Sequence, residues 1–303
     1  MLTKLRQCLK LMLKRIPPIA NYFVRREFSV ELDLIEGKHP GRVSRSKYRQ
    51  LSEKPSIIHF SLNKSATQYS RQILEQCAVE NNVTPVNIHA YAFNSNFPYL
   101  NQLSAEEMGK YQHIFKPDGY LYSTFGGMIK GIPEFEKYKI ILMIRDPRDI
   151  LVSEYYSIAY SHTAPAIHGN KYERFVRERA NAVKSAIDDY AAAENERIYN
   201  AMLQYKILLI DKYPNVYLTK YEEMINDFPD WLHNLLDYCE LNIRSDAFTA
   251  LVEKNERMRP KDENIHQHIR RGKPGEYKEK LNPETIEYLN QKFLPMLLTF
   301  KYT

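Results

Sequence analysis

The stretch IIHFSLNKSATQYSRQIL, residues 57–74, runs from an apolar burst through a short polar turn into sequence with helical spacing. Lys64, Ser65 and Thr67 fall in that turn. A turn between a strand and a helix points backbone N–H groups at whatever lies over the helix N-terminus, and the helix dipole favours an anion there. Ser65 and Thr67 add hydroxyl donors, and Lys64 adds a mobile positive charge. The glycine-rich phosphate loop GxxxxGK[ST] is absent, and no acidic strand end looks suited to hold magnesium. A sulfuryl group, which carries less charge than a terminal phosphate and needs no metal, fits the turn better. Taken alone, a lysine here is as readily a side chain pointing into solvent.

A second segment, ILMIRDPRDILVSEYY, places Arg145 at the end of an apolar run and Ser153 eight positions later. Pro147 suits the first turn of a helix, so the two side chains are expected to converge near its first two turns. A guanidinium fork matches phosphate oxygens, and a serine hydroxyl adds a directed donor. Asp146 reads as a helix cap. A third basic stretch, HIRRGK at 268–273, is on composition alone an exposed charge run.

Elements must hold these groups in place. SIIHFSL, VNIHAYAF, GYLYSTF, YKIILMIRD and NVYLTKY read as strands, and helical patterns lie between and after them, including a long one over about 181–212. Continuous apolar strands alternating with helices predict a three-layer α/β fold with a central parallel sheet covered on both faces. Ligands in such folds bind beyond the carboxyl ends of the strands, where Lys64 and Arg145 both fall. Residues 27–54 read as irregular. Two regions are expected, an N-terminal extension over 1–54 and a single domain over 55–303.

The chain has 303 residues, a formal charge of +6 and a pI near 8.9, which suits an anionic ligand without requiring nucleic acid. Three widely spaced cysteines, Cys8, Cys77 and Cys239, make neither a disulfide framework nor a metal site, so a reducing, cytoplasmic setting is expected. No apolar run nears the roughly 20 residues that cross a bilayer. Leu2, Leu5, Leu9, Met12 and Ile16 repeat at helical spacing among basic residues. That helix, over 2–16, either caps the domain or rests on a membrane surface. A secretory signal is not expected, because no small-residue cleavage site follows the apolar segment.

In order and spacing, LNKSATQY, IRDPRDILVS, YLTKYEEM and IRRGKPGEYKEKL resemble the sulfotransferase family over about residues 55–298. Members of that family have a fold like that of the P-loop nucleotide hydrolases. They move a sulfuryl group from 3′-phosphoadenosine 5′-phosphosulfate (PAPS) to a hydroxyl acceptor. The resemblance implies that Lys64 contacts the 5′-phosphosulfate and stabilises the leaving phosphate. It puts Ser65, Ala66, Thr67 and Gln68 in the rest of that loop, with Tyr69 stacked on adenine. It gives Arg145 and Ser153 the 3′-phosphate, Tyr221 and Phe248 the neighbourhood of the adenine, and Arg270, Arg271 and Gly272 a segment closing over the 3′-phosphate. The acceptor is then a small molecule, a lipid or a carbohydrate, with neither metal nor nucleic acid required.

The sequence departs from the family pattern in three ways. Asn63 and Ala66 replace the usual proline and glycine of the loop, so its turn should be one that alanine tolerates. Ser123 and Thr124 stand where many members carry a catalytic histidine, and neither is a base near neutral pH. His89 and His162 are the substitute candidates, and Glu154 beside Ser153 is another; His59 reads as core. The C-terminal dimer motif keeps Lys278 and Glu287 but has Asn282 and Pro283 at its centre, which leaves the oligomeric state open. Two alternatives remain: a binding or scaffold protein of this fold without catalysis, and a small-molecule kinase.

Overall fold

The computed structural model describes residues 23–38, 52–165, 169–258, 260, 262–267 and 269–302. The expected helix over 2–16 lies outside them. Five strands form one sheet: β1 (Ile57–Ser61), β2 (Thr84–Val86), β3 (Tyr120–Phe125), β4 (Lys139–Ile144) and β5 (Val216–Lys220). Their order is β2-β3-β1-β4-β5, and all the pairings are parallel, as expected. Ile58 lies opposite Ile140, and Leu142 opposite Leu218. Every residue of β1 and β3 is buried, so these strands need apolar residues on both faces and show no alternation.

The period of two survives in what each residue meets. Ile58, Phe60, Tyr122, Ile140 and Leu142 face one core, shared with helices α7 (Ile187–Tyr205) and α12 (Pro283–Thr299). Ile57, Leu121, Ile141 and Met143 face the other, shared with α2 (Thr67–Glu80) and α9 (Phe228–Tyr238). Phe60 has its ring about 6 Å from those of Phe125, Phe135 and Tyr205. The sheet runs outward from β1 toward β3 and β2 on one side, and toward β4 and β5 on the other. A crevice therefore opens above the carboxyl ends of β1 and β4.

Three expectations about elements fail. In VNIHAYAF, residues Ile88–Phe93 form a helix, α3, because the Asn87 side chain caps it by accepting from Ala90 N–H at 2.8 Å. Residues 27–54 are not wholly irregular: Ser29–Ile35 is helical (α1), with Leu34 in the first core. The buried Glu31 carboxylate accepts from the Asn87 N–H at 2.7 Å, and burial raises its pKa. The long pattern over 181–212 is two helices, α6 (Asn170–Lys184) and α7, separated where Ser185 and Ala186 adopt extended backbone. Other helices among the described residues include α4 (Ala105–Met108), α5 (Pro147–Tyr156), α8 (Tyr221–Asn226), α10 (Ser245–Met258) and α11 (Tyr277–Lys280). None of the described helices is long and apolar enough to cross a membrane.

Candidate functional site

The β1–α2 turn is a backbone cradle. Ala66 caps α2 at φ 56 and ψ 30, and Lys64 has φ 72, both in the left-handed region. The expectation of a turn comfortable for alanine is therefore wrong: the turn needs positive φ, and alanine adopts it at a cost of about 1–2 kcal/mol. Among the described residues, the N–H groups of Ala66, Thr67 and Gln68 meet no acceptor, so they point outward from the helix start. The Thr67 hydroxyl turns back to the Leu62 carbonyl at 3.1 Å and pairs with Ser61 Oγ at 3.0 Å. Ser65 is fully buried, and its Oγ has no hydrogen-bond partner among the described residues. Lys64 donates its ammonium to Ser157 Oγ at 2.5 Å, across the crevice on a π turn (Ser157–Ser161) that follows α5. Burial pushes the Lys64 pKa down to about 8; Glu154 opposes this, and Arg145 adds to it.

At the end of β4, Asp146 caps α5 by accepting from the Arg148 N–H at 2.9 Å. Arg145 is 4% exposed and lies over the Tyr221 ring, 4.1 Å from its centroid. It donates to the Lys64 carbonyl at 3.2 Å, so the ends of β1 and β4 are hydrogen-bonded to each other. Arg145 also donates to Asp149 at 3.3 Å and to the Lys273 carbonyl at 3.2 Å. Asp149 is fully buried and accepts from the N–H groups of Gly275 at 2.7 Å and Tyr277 at 3.0 Å. It fastens the 270–277 segment onto α5. Gly272 there has φ 68, which a side chain would strain.

That segment is more neutralised than a run of basic residues suggests. Arg270 pairs with Glu276 at 2.6 Å and with Glu263, and its guanidinium lies 4.2 Å from the centre of the Tyr156 ring. Arg271 pairs with Glu279, near the surface. Burial raises the Glu276 carboxyl, and the nearby arginines only partly offset this. Two buried polar atoms at the centre, Arg145 Nε and Glu276 Oε1, have no hydrogen-bond partner among the described residues. Both are closed off from solvent, so their unmet capacity is a local cost of this packing.

Beyond β2 and β3 the lining changes character. His89 lies on α3 with its ring centroid 5.0 Å from that of Tyr99; burial and then Lys171 hold its pKa down to about 4. The His162 ring lies between Phe93, 6.2 Å away, and Phe175, 5.7 Å away. At the β3 end, the Thr124 hydroxyl meets His59 Nδ1 at 3.1 Å, and Ser123 donates to Glu75 at 3.0 Å. His59 is buried and its pKa is down to about 3, so it is a core residue. Glu154 is buried against Arg197.

One cavity of about 950 Å³ joins these parts. Lys64, Ala66, Thr67, Gln68, Tyr69, Arg145, Ser153, Tyr221, Arg270, Arg271 and Gly272 line it, together with His89 and His162. Two expected residues do not. Ser65 is buried beneath the loop, and Phe248 packs against the second core among α9 and α10. Asp149, Ser157, Lys171 and Glu276 escaped sequence reasoning. Only Asp149 carried a readable sign, its i,i+4 spacing from Arg145.

A parallel sheet whose crevice gathers an open helix start, two paired strand ends and a basic closing segment defines the class as a three-layer α/β protein with its donors gathered at one end of the sheet. Residues 54–298 match the family model for the sulfotransferase domain, and the chain belongs to that family. Among solved structures, the mouse sulfotransferase SULT7A1 complexed with PAP is similar over 82% of this chain and 87% of that one, at 14% identity and TM-score 0.54. Retinol dehydratase in a complex with retinol and PAP aligns over 80% and 82% of the two chains, at 13% identity and TM-score 0.46. Its complex with androsterone and PAP aligns over 80% of each chain, at 13% identity and TM-score 0.44. No curated protein sequence gives a significant match.

Proposed function

We propose that the protein transfers a sulfuryl group from PAPS to a hydroxyl acceptor. The observation that carries this reading is the hydrogen bond from Arg145 to the Lys64 carbonyl, which makes one crevice of the ends of β1 and β4. In this reading, the open N–H groups of the β1–α2 turn and Lys64 hold the 5′-phosphosulfate. Arg145, Ser153 and the Arg270–Gly272 segment, all of which line the cavity, hold the 3′-phosphate. Tyr69 and Tyr221 flank the adenine, and both line the cavity.

The acceptor oxygen bonds to sulfur as the bond from sulfur to the 5′-phosphate oxygen breaks. That oxygen keeps the electron pair, and the hydroxyl proton passes to a base. Lys64 leaves Ser157 and follows the charge developing on the phosphate, an interaction stronger in the transition state than before it. His89 is the preferred base: burial keeps its imidazole neutral at working pH, and it lines the cavity beyond β2. His162 is the other histidine on that wall.

Two measurements test the reading. Isothermal titration with adenosine 3′,5′-bisphosphate should show binding, and its absence at millimolar ligand would overturn the proposal. Radiolabelled PAPS should label an acceptor fraction only while Lys64 is intact. A second reading, nucleotide binding without catalysis, is favoured by Thr124, whose hydroxyl at the β3 end is turned to His59. Transfer that vanishes in Lys64→Ala eliminates it. Dependence on ATP and magnesium would instead favour a kinase.

A further inference from the structure

We propose that the acceptor is an uncharged carbohydrate; this rests on the transfer reading above and names its second substrate. The wall beyond β3 carries side-chain amides with free hydrogen-bonding capacity. Asn63, Asn101 and Gln102 line the cavity, and their side chains meet no partner among the described residues. This is not true of every amide there. Asn87 caps α3, and Asn94 donates to the Ala90 carbonyl at 2.9 Å. The free amides are brought in close by Gly126 and Gly127, which follow β3. A Cβ on Gly126 would lie 2.9 Å from Asn63 Oδ1, and one on Gly127 would lie 2.6 Å from Asn101 Nδ2. Each amide offers two N–H donors and a carbonyl acceptor, matching neighbouring hydroxyls that both donate and accept.

Flat apolar surface accompanies the amides. Phe93 lines the same side, and a pyranose ring presents a C–H face that such a ring covers. The apolar lining there is more aromatic than aliphatic: Phe93 and Phe175 accompany Ile158 and Pro165. An extended hydrocarbon would leave these amides without hydrogen-bond partners once it covered them. Charge narrows the class further. The cations on this side already have acceptors: Arg71 pairs with Glu75 at 2.9 Å, and Arg174 donates to Glu178 at 2.7 Å. Lys171 donates to the carbonyls of Ala92, Ser95 (3.1 Å) and Phe97 (3.0 Å). Among the described residues, a uronate or a sulfated sugar would find no cation there without a carboxylate or carbonyl partner, whereas a neutral sugar needs none.

The experiment uses the full chain with radiolabelled PAPS. It offers maltotriose and cellobiose as neutral sugars, glucuronic acid as an anionic one, and 2-naphthol and a 3-hydroxysteroid as apolar alcohols. Saturation-transfer NMR in the presence of adenosine 3′,5′-bisphosphate reads sugar binding without turnover. At least one neutral sugar should bind and be labelled at least tenfold better than the other acceptors. Asn101→Leu should raise its KM about tenfold while leaving adenosine 3′,5′-bisphosphate affinity unchanged. Preference for naphthol, steroid or glucuronate overturns the inference. So does nucleotide binding with no sugar bound or labelled, and so does Asn101→Leu leaving the sugar KM unaltered. Failure of the nucleotide itself to bind would instead overturn the transfer reading, and this inference with it.

Discussion

Lys64 holds its ammonium on Ser157 and its backbone in the left-handed region, so its chemistry is set by burial as much as by charge. With the folded pKa lowered to about 8, the charged form prevails below that pH and is lost above it. On the proposed mechanism, kcat/KM, which reports the free enzyme, should fall as pH rises through about 8. If His89 is the base, it should also fall as pH drops through about 4. An acid limb near the ordinary histidine value of about 6.5 would move the base elsewhere. Lys64→Ala should lower kcat by about 10²–10³ with a smaller effect on nucleotide affinity, whereas Arg145→Ala should chiefly weaken that affinity. Single-turnover kinetics and titration calorimetry separate the two, and the reverse pattern contradicts these roles. Ala66→Gly removes the strain of φ 56 and should stabilise the fold by about 1 kcal/mol, raising Tm by roughly 2–4 °C. An unchanged or lower Tm counts against a strained turn.

Helices, more than strands, tune this site. Lys171, in the first turn of α6, bonds the carbonyls that end α3, lies 4.3 Å from the centre of the Tyr99 ring, and contributes to lowering His89. Lys171→Met should therefore raise the His89 pKa, though not to the ordinary value, because burial is the larger cause. NMR titration of the His89 ring tests this, and an unmoved pKa would show that the lysine exerts no field there. In the sheet, Phe60→Ala removes a fully buried ring and should cost about 3–5 kcal/mol in denaturant melts. A loss below 1 kcal/mol would mean that the core can collapse around the gap. The strands were readable because continuous apolar runs such as Ile140–Ile144 leave few other fates. The α3 helix was not, because six residues of mixed polarity look alternating until the Asn87 cap is seen in three dimensions. The break between α6 and α7 was missed for a related reason: Ser185 and Ala186 carry neither glycine nor proline to announce it.

Across the whole molecule, the sheet separates two cores, and α1 joins the first of them. Leu34 is 1% exposed, and the Glu31 carboxylate accepts from the Asn87 N–H, next to the helix that carries His89. We infer that a chain beginning at residue 52 would fold less stably despite retaining the region matched by the family model. Its Tm should fall by about 5 °C, since each buried apolar side chain contributes roughly 1.5–3 kcal/mol. A Tm within 1 °C of the full chain would show α1 to be dispensable.

By itself the sequence determined the alternation of strands and helices, and with it the parallel sheet and the strand ends on which Lys64 and Arg145 fall. Those follow from local pattern, because a buried parallel strand must be apolar throughout and a turn must sit beside it. The pairing of charges was decided only by the tertiary structure. Glu276, Asp149 and Ser157 reach the basic residues through contacts between distant segments, and no spacing along the chain announces them. The same holds for the amide-lined wall, where Asn63 packs against Gly126 and Asn101 against Gly127, approaches that a side chain at either glycine would crowd.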